Sequence, residues 1–431
     1  MATYESYKDS GVKWPGQIPS HWEILPGKAI FDENKTKNTT NRETFVLSLS
    51  YGNIIPKRDI NEGLVPENYS GYQIVEPGYI IIRCTDLQND KVSLRTGHVN
   101  HHGIISGAYL GLKVKRGVNS RYIHYLLHNW DVSKELYRYG SGLRQSLSWA
   151  DIKYLLLAKP PLSEQEAIVA YLDKVTGDID RAIEAQRKMI DALNERKQII
   201  ITRAVTRGLN PDAPLRDSGI DWLGQIPAHW EVMKLGSLGI TSNGISNDAS
   251  YFGEGYPFVS YSDVYKNFSL PDVIRGLAKS SERDQKVFSV KRGDVFFTRT
   301  SETVDEIGFS SVCLNTIHQA VFAGFLIRFR PKENIIVPEF SKFYFRTSCH
   351  RNYFVKEMNL VTRASLSQQL LKGLTVLLPP KSEQNSIADF LNSKITDLDN
   401  SIENCERMIS LLQERKQIII NEVVTGKTKV I

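Results

Sequence analysis

Apolar side chains recur at steps of three and four along two stretches of the chain. Ile168, Leu172, Val175, Ile179, Ile183, Ile190 and Leu193 make the first series, and Ile387, Leu391, Leu398, Ile402, Ile409 and Leu412 the second. Such spacing, sustained over this length, predicts a long amphipathic helix with a coiled-coil-like seam in each stretch. Ser163-Glu-Gln and Ser382-Glu-Gln follow Pro-Pro pairs and supply N-cap chemistry, while Gly208 and Gly426 supply the stops. Each helix then runs about 40 residues, or roughly 60 Å at 1.5 Å per residue. A single amphipathic helix needs only a neighbouring domain to cover it. Two similar seams in one chain favour packing on each other, and the expected arrangement is an antiparallel pair with pseudo-two-fold symmetry.

A different pattern fills the stretches before each helix. Short apolar runs such as Tyr79-Ile-Ile-Ile82, Val295-Phe-Phe297 and Phe325-Leu-Ile-Arg-Phe329, separated by Gly, Asn and Asp, read as strands. The fold class expected is therefore α/β (mixed α+β): two similar domains, separated by the two long helices.

The chain repeats itself. Asp9-Ser-Gly-Val-Lys-Trp-Pro-Gly-Gln-Ile-Pro-Ser-His-Trp-Glu23 returns as Asp217-Ser-Gly-Ile-Asp-Trp-Leu-Gly-Gln-Ile-Pro-Ala-His-Trp-Glu231, 208 residues later. Pro160-Pro-Leu-Ser-Glu-Gln165 returns at Pro379–Gln384 and Glu195-Arg-Lys-Gln-Ile-Ile-Ile201 at Glu414–Ile420, each 219 residues on. The stretch between them differs in length and sequence, but a faint register persists. Pro77–Thr85 lies opposite Arg292–Thr300, and Arg144-Gln-Ser-Leu-Ser148 opposite Arg363-Ala-Ser-Leu-Ser367. The organisation expected is a first domain over 1–158, a first helix over 159–208, a linker and second domain over 209–377, and a second helix with a tail over 378–431.

Composition narrows the class. With 431 residues, 41% hydrophobic and 24% charged, the chain reads as two to four soluble globular domains. No apolar run approaches the roughly 18 residues needed to span a bilayer, and Met1–Lys8 has no apolar signal core. Cys84, Cys313, Cys349 and Cys405 are too widely spaced for Cys-x-x-Cys pairs or a disulfide framework, so a reducing cytoplasm is expected. Of the net charge of +6, residues 23–150 hold 16 basic and 12 acidic side chains, and residues 231–367 hold 17 and 14. The excess sits in the two variable domains, a weak pointer to a polyanion.

Catalytic signatures are missing. The chain has no Walker phosphate loop, no His-Glu-x-x-His and no Gly-x-Ser-x-Gly elbow. Gly140-Ser-Gly142 is a bare Gly-x-Gly, read as a loop. Pro160-Pro161 and Pro379-Pro380 lack the flanks of the aminomethyltransferase tetrapeptide. His98, His101 and His102 have no Cys or acidic ligand at metal spacing. Asp86 and the Asp294–Arg299 stretch support no nuclease pattern. The expectation is a non-catalytic chain with no metal and no bound cofactor.

Three features together resemble the specificity subunit of type I restriction–modification systems, over nearly the whole chain. They are the Trp-x-Gly-x-Ile-Pro-x-x-Trp opening motif (Trp14–Trp22, Trp222–Trp230), the Pro-x-x-x-Gln-x-x-Ile helix start (Pro161–Ile168, Pro380–Ile387) and the Glu-Arg-Lys-Gln-x-Ile-Ile helix end. The Gly-Asp-Val-Phe-x-x-Arg-Thr element is intact at Gly293–Thr300, but the first domain has Gly78-Tyr79 and loses the Asp. The resemblance implies two target-recognition domains set by a helical ruler and a bipartite, asymmetric double-stranded DNA target with an unread spacer. Readers on one duplex face stand about one helical turn apart, roughly 34 Å. It also implies two modification subunits that use S-adenosylmethionine, and restriction motor–nuclease subunits that need ATP and Mg2+.

Candidate DNA contacts are basic and hydroxylic residues near the aligned loops, because arginine forks onto guanine edges and hydroxyls hold phosphates. They are Arg83, Thr85, Arg144 and Ser146 in the first domain, and Arg299, Thr300, Ser301, Arg363 and Ser365 in the second. Tyr51, Lys57, Arg58, Asn243 to Asn247 and Tyr261 are further loop candidates. Each arginine has a structural alternative as an ordinary ion pair. Trp14, Trp22, Trp222 and Trp230 read as packing anchors at the domain–helix junctions. Two rival readings remain: a self-sufficient methyltransferase–nuclease, and a scaffold whose coiled coil joins two protein-binding modules.

Overall fold

The computed structural model describes residues 3–12, 14–57, 68–85, 87, 94–139, 146–220, 223–301, 307–347, 349–350, 353–354 and 364–430. The chain forms two compact units, Met1–Arg187 with Glu406–Ile431 and Lys188–Cys405. Among the described residues no helix is long and apolar enough to cross a membrane.

The long helices are Leu162–Arg207 and Lys381–Val424, 46 and 44 residues, longer than the spacing of apolar positions suggested. Ser163 and Ser382 lie inside the first turns instead of capping them. The N–H groups of Glu164 and Gln165 donate to the Pro161 carbonyl, both at 3.0 Å, so each helix begins right after the Pro-Pro stop.

In the first unit, Ile168, Leu172, Ile179 and Ile183 share a core with Ile419, Ile420, Val423 and Val424. In the second, Ile201, Ala204 and Val205 share one with Ile387, Ala388, Leu391 and Ile395. In both units the start of one helix runs antiparallel to the end of the other. Lys416 Nζ meets both Asp180 oxygens at 2.7 and 2.8 Å, and Lys197 Nζ meets Asp399 Oδ1 at 2.6 Å. Asp180 and Asp399 are equivalent positions of the repeat, as are Lys197 and Lys416, so one ion pair is made twice with its partners exchanged. Half-exposed pairs contribute at most about 1 kcal/mol; their use is to fix register.

Each unit builds the same four-stranded antiparallel sheet. The first is ordered Phe31–Glu33, Leu110–Val114, Ile80–Ile82, Thr96–His98; the second Gly239–Asn243, Leu326–Pro331, Val295–Thr298, Ser310–Val312. The strands Ile80–Ile82 and Val295–Thr298 are wholly buried, which is why they read as unbroken apolar runs. A helix follows each sheet, Ser120–Val132 or Pro338–Tyr344. Gln165 ties it to the long helix: its Oε1 accepts from Asn119 N at 2.8 Å while its Nε2 donates to the Pro160 carbonyl. Gln384 does the same with Val337 N and the Pro379 carbonyl.

The opening motifs make the junctions. Trp22 and Trp230 are buried. The Glu164 carboxylate accepts from Trp22 Nε1 at 3.1 Å, His21 Nε2 at 2.8 Å and the Tyr4 hydroxyl. Glu383 accepts from Trp230 Nε1 at 3.0 Å and His229 Nε2 at 2.9 Å. Trp14 sits edge-on to Trp130 at 5.0 Å, and Trp222 lies outside the described residues. The glycine that ends each long helix closes the junction from the other side. Gly426 has φ +74°, and a Cβ there would meet Pro19 and come within 3.1 Å of the Trp22 ring. Gly426→Ala is therefore expected to cost about 2 kcal/mol, the left-handed penalty plus the clash, read as a lower denaturation midpoint of the first unit.

Candidate nucleic-acid interface

The strand Val295–Thr298 ends where three sequence candidates begin. Thr300–Ser301 pairs antiparallel with Ala364–Ser365, with Thr300 opposite Ser365. Leu366 N donates to the Arg299 carbonyl at 2.7 Å, and Arg299 N to the Phe325 carbonyl at 3.0 Å. Arg299, Thr300, Ser301 and Ser365, which come from two distant segments, thus form one small ribbon at the end of the sheet. Asn243 is in the same row, since it pairs with Ile327, and Ile327 with Phe297. Its Oδ1 is buried with no hydrogen-bond partner.

The first unit repeats the ribbon with other residues. Leu147 N donates to the Cys84 carbonyl at 2.9 Å, the counterpart of the Leu366–Arg299 bond, which puts Ser146 in the place of Ser365 and exposed Thr85 in that of Thr300. Cys84, not Arg83, is therefore the counterpart of Arg299. It is buried, and burial pushes its thiol up to about 12. Arg83 precedes it by one position. Half-buried Arg83 makes its backbone bond to Arg95 O at 2.8 Å.

The other candidates are not members of the ribbon. Lys57 follows the hairpin strand Asn53–Pro56 and donates its N–H to the Val46 carbonyl at 2.9 Å, and Tyr51 is 87% exposed at the tip of that hairpin. Tyr261 stacks on Tyr265 with ring centres 5.8 Å apart. Asn247 is exposed beyond the edge strand. Arg58, Arg144, Arg363 and Asp86 lie outside the described residues. Phe325 is a residue the sequence reading missed. The apolar run Phe325–Phe329 predicts a strand there, but Phe325 sits in the turn before Leu326–Pro331, 64% exposed, with its carbonyl on Arg299. Its only sequence signal is the Gly324 that precedes it.

The Asp of the Gly-Asp element is structural. Asp294 is fully buried and takes both Arg330 Nε and Nη2 at 2.6 Å. In the first unit the two positions are Tyr79 and Lys113, and the Lys113 ammonium lies over the Tyr79 ring at 5.7 Å. An ion pair in one copy is a cation–π contact in the other. The departure at Gly78-Tyr79 thus changes both partners of a framework pair.

Among the described residues no group of three or more His, Cys, Asp or Glu could hold a metal. His102 instead bridges Glu43 and Glu76, each at 2.9 Å, and these hydrogen bonds, Glu43's first, hold its imidazole above the ordinary range. His98 is hydrogen-bonded to Asn100 and Ser120, both at 3.0 Å. Burial lowers His124 to about 3 and His128 to about 4 in the first unit, and His350 to about 4 in the second. An unfolded histidine takes its proton near 6.5. The stabilisation is therefore complete above pH 6.5 and is lost as pH falls from there toward 4. At 1.36 kcal/mol per pH unit, His350 alone contributes roughly 3 kcal/mol of that slope. Urea midpoints measured between pH 7 and 4.5 should fall accordingly; a flat profile would contradict the burial.

Residues 227–410 match the sequence profile of the type I restriction modification DNA specificity domain. The chain is 23% identical to a putative type I restriction enzyme MjaX specificity subunit of Methanocaldococcus jannaschii, over 99% of this chain and 97% of that protein. It is 25% identical to the type I restriction enzyme EcoKI specificity subunit of Escherichia coli K12, over 62% of this chain and 56% of the other. A solved chain from work on complex assembly and conformational transition of the type I restriction–modification system superposes with a TM-score of 0.72 and 17% identity, covering 96% of this chain and all of that one. The fold is thus shared over 96% of this chain.

Proposed function

We propose that this chain, a relative of type I restriction–modification specificity subunits throughout its length, reads a bipartite, asymmetric DNA target with one recognition domain per half-site. The observation that carries the reading is the ribbon built twice in one framework from different residues. Arg299, Thr300, Ser301 and Ser365 form it in the second unit, and Cys84, Thr85 and Ser146 take the matching places in the first. A shared frame keeps both readers in one docking geometry, while different side chains give each its own base sequence. Two unlike readers read two unlike half-sites.

The chain itself does no chemistry in this reading. It positions two modification subunits, which carry S-adenosylmethionine and methylate adenine, and restriction subunits, which carry ATP and Mg2+. The repeated helix ends give each partner copy an equivalent set of residues to bind.

Single-molecule methylome sequencing tests this, in cells that hold the chain and its neighbouring methyltransferase and in cells lacking the chain. The expected result is N6-methyladenine in one interrupted, asymmetric motif that vanishes on deletion. An unchanged methylome would overturn it, and methylation by the purified chain alone would establish the rival enzyme reading.

A further inference from the structure

The first unit contains a cleft of about 460 Å3 between the hairpin tip at Tyr51, the helix Ser120–Val132 and the two long helices. This is within the size range of small-molecule sites. His124, His128 and Gln417 line it, and His124 Nε2, His128 Nδ1 and Gln417 Oε1 are buried with no hydrogen-bond partner. Buried polar atoms are nearly always satisfied, so three orphans around one cleft call for a cause.

The second unit sharpens the point. Asn119 and Val337 hold the same place before their helices, so His124 and His128 correspond to Lys342 and Arg346. Lys342 donates to Asn392 Oδ1 at 3.1 Å, and Arg346 donates to the Val264 and Ser310 carbonyls at 3.1 and 2.9 Å. There the positions spend themselves on the fold; in the first unit they do not.

The cleft's chemistry is neutral. Its cations are already used, Arg121 on Asp173 and Lys416 on Asp180, each at 2.7 Å. Burial keeps the imidazoles of His124 and His128 uncharged at neutral pH. Apolar Ile54, Leu94 and Ile420 supply walls, and Tyr51, 87% exposed with φ +45°, stands at the rim. A fitting ligand is flat and uncharged, with donors and acceptors on its edges and apolar faces. We propose that this cleft binds a nucleobase, with the His124, His128 and Gln417 side chains on its edge and Tyr51 on its face.

The base comes either from a free nucleoside or from an extrahelical position in bound DNA. The inference goes beyond duplex reading, and methylome sequencing reports on that reading separately. The test uses the full chain. Saturation-transfer NMR is run with adenosine, guanosine, cytidine and thymidine at millimolar concentration. A DNA duplex with one extrahelical 2-aminopurine is followed by its fluorescence. The proposal expects transfer to the base protons of at least one nucleoside, or quenching of the extrahelical base beyond that of a fully paired control. Either signal should weaken at least tenfold in Gln417→Leu and in His128→Phe. Because His128 Nδ1 has no partner to lose, His128→Phe should melt no lower than the parent chain. Signal in the nucleoside arm names the free ligand as the source, and signal in the duplex arm alone names DNA. No signal in either arm, or a signal that both folded variants retain, overturns the proposal.

Discussion

Exchanging residues 23–159 for the matching span of another specificity subunit should rewrite one half of the methylated motif and leave the other half unchanged. The cut points follow from the structure. Strand Glu23–Pro26 pairs antiparallel with Leu156–Lys159, Glu23 opposite Lys159, so both ends of the exchanged piece lie at one end of one strand pair. Cutting at 150 would separate those strands. Trp22 and Glu164 stay with the host, so the latch is kept. The four-stranded sheet travels whole, together with the ribbon of Cys84, Thr85 and Ser146. Protein–DNA specificity ratios are about 10³–10⁷, so the old motif should lose methylation outright. The exchanged piece also carries Asn129, which donates to Asn421 Oδ1 at 2.9 Å, so a donor with Asn at this position is the better choice. Sequencing the methylome of cells with the hybrid checks the result. A hybrid that changes both halves, or neither, would sink the assignment of one domain to one half-site.

How much of this was legible in the sequence depends on how far apart the interacting residues lie. The long helices were plain, because a seam of Ile and Leu repeats within a few residues. The repeated opening motif was equally plain as a repeat, and its tryptophans were read as anchors. Its partner was not visible, since Trp22 finds Glu164 and Trp230 finds Glu383 some 150 residues later. Tyr79 looked like a lost Asp because the compensating change from Arg330 to Lys113 occurs on a neighbouring strand. Arg83 and Arg299 were grouped by residue type, whereas the aligned strands already put Cys84 opposite Arg299. Ser163 and Ser382 looked like caps because serine favours that place; Pro-Pro set the start instead. The cleft was hidden for a further reason. His124 and His128 come from one helix, and Gln417 from the end of another, so only the antiparallel pairing brings them together.

Glu164→Ala should be strongly destabilising, and more so than Glu383→Ala. Glu164 is 5% exposed and accepts from three side chains, two of them, Trp22 and Tyr4, buried at 0% and 8% exposure. Burial and the Glu164 carboxylate also hold the Tyr4 hydroxyl well above the ordinary tyrosine range, so it stays protonated as a donor. An alanine there strands both donors, and each buried unsatisfied group costs about 1–3 kcal/mol. The sum, about 3–5 kcal/mol with the charge-assisted bonds counted, is a large share of the roughly 5–15 kcal/mol that holds a domain folded. Among the described residues Glu383 has one buried donor, Trp230, with His229 about half exposed, so its loss should cost nearer 2–3 kcal/mol. Hydrogen exchange resolved by residue separates the two. In Glu164→Ala, protection should collapse in Ile168–Ile183 and Ile419–Val424, while Ile201–Val205 and Ile387–Ile395 keep theirs. Glu164→Gln, which keeps one carbonyl acceptor, should restore part of the loss. Equal effects of the two alanine variants would mean that the junctions are held by apolar packing of the tryptophans and not by the carboxylates beneath them.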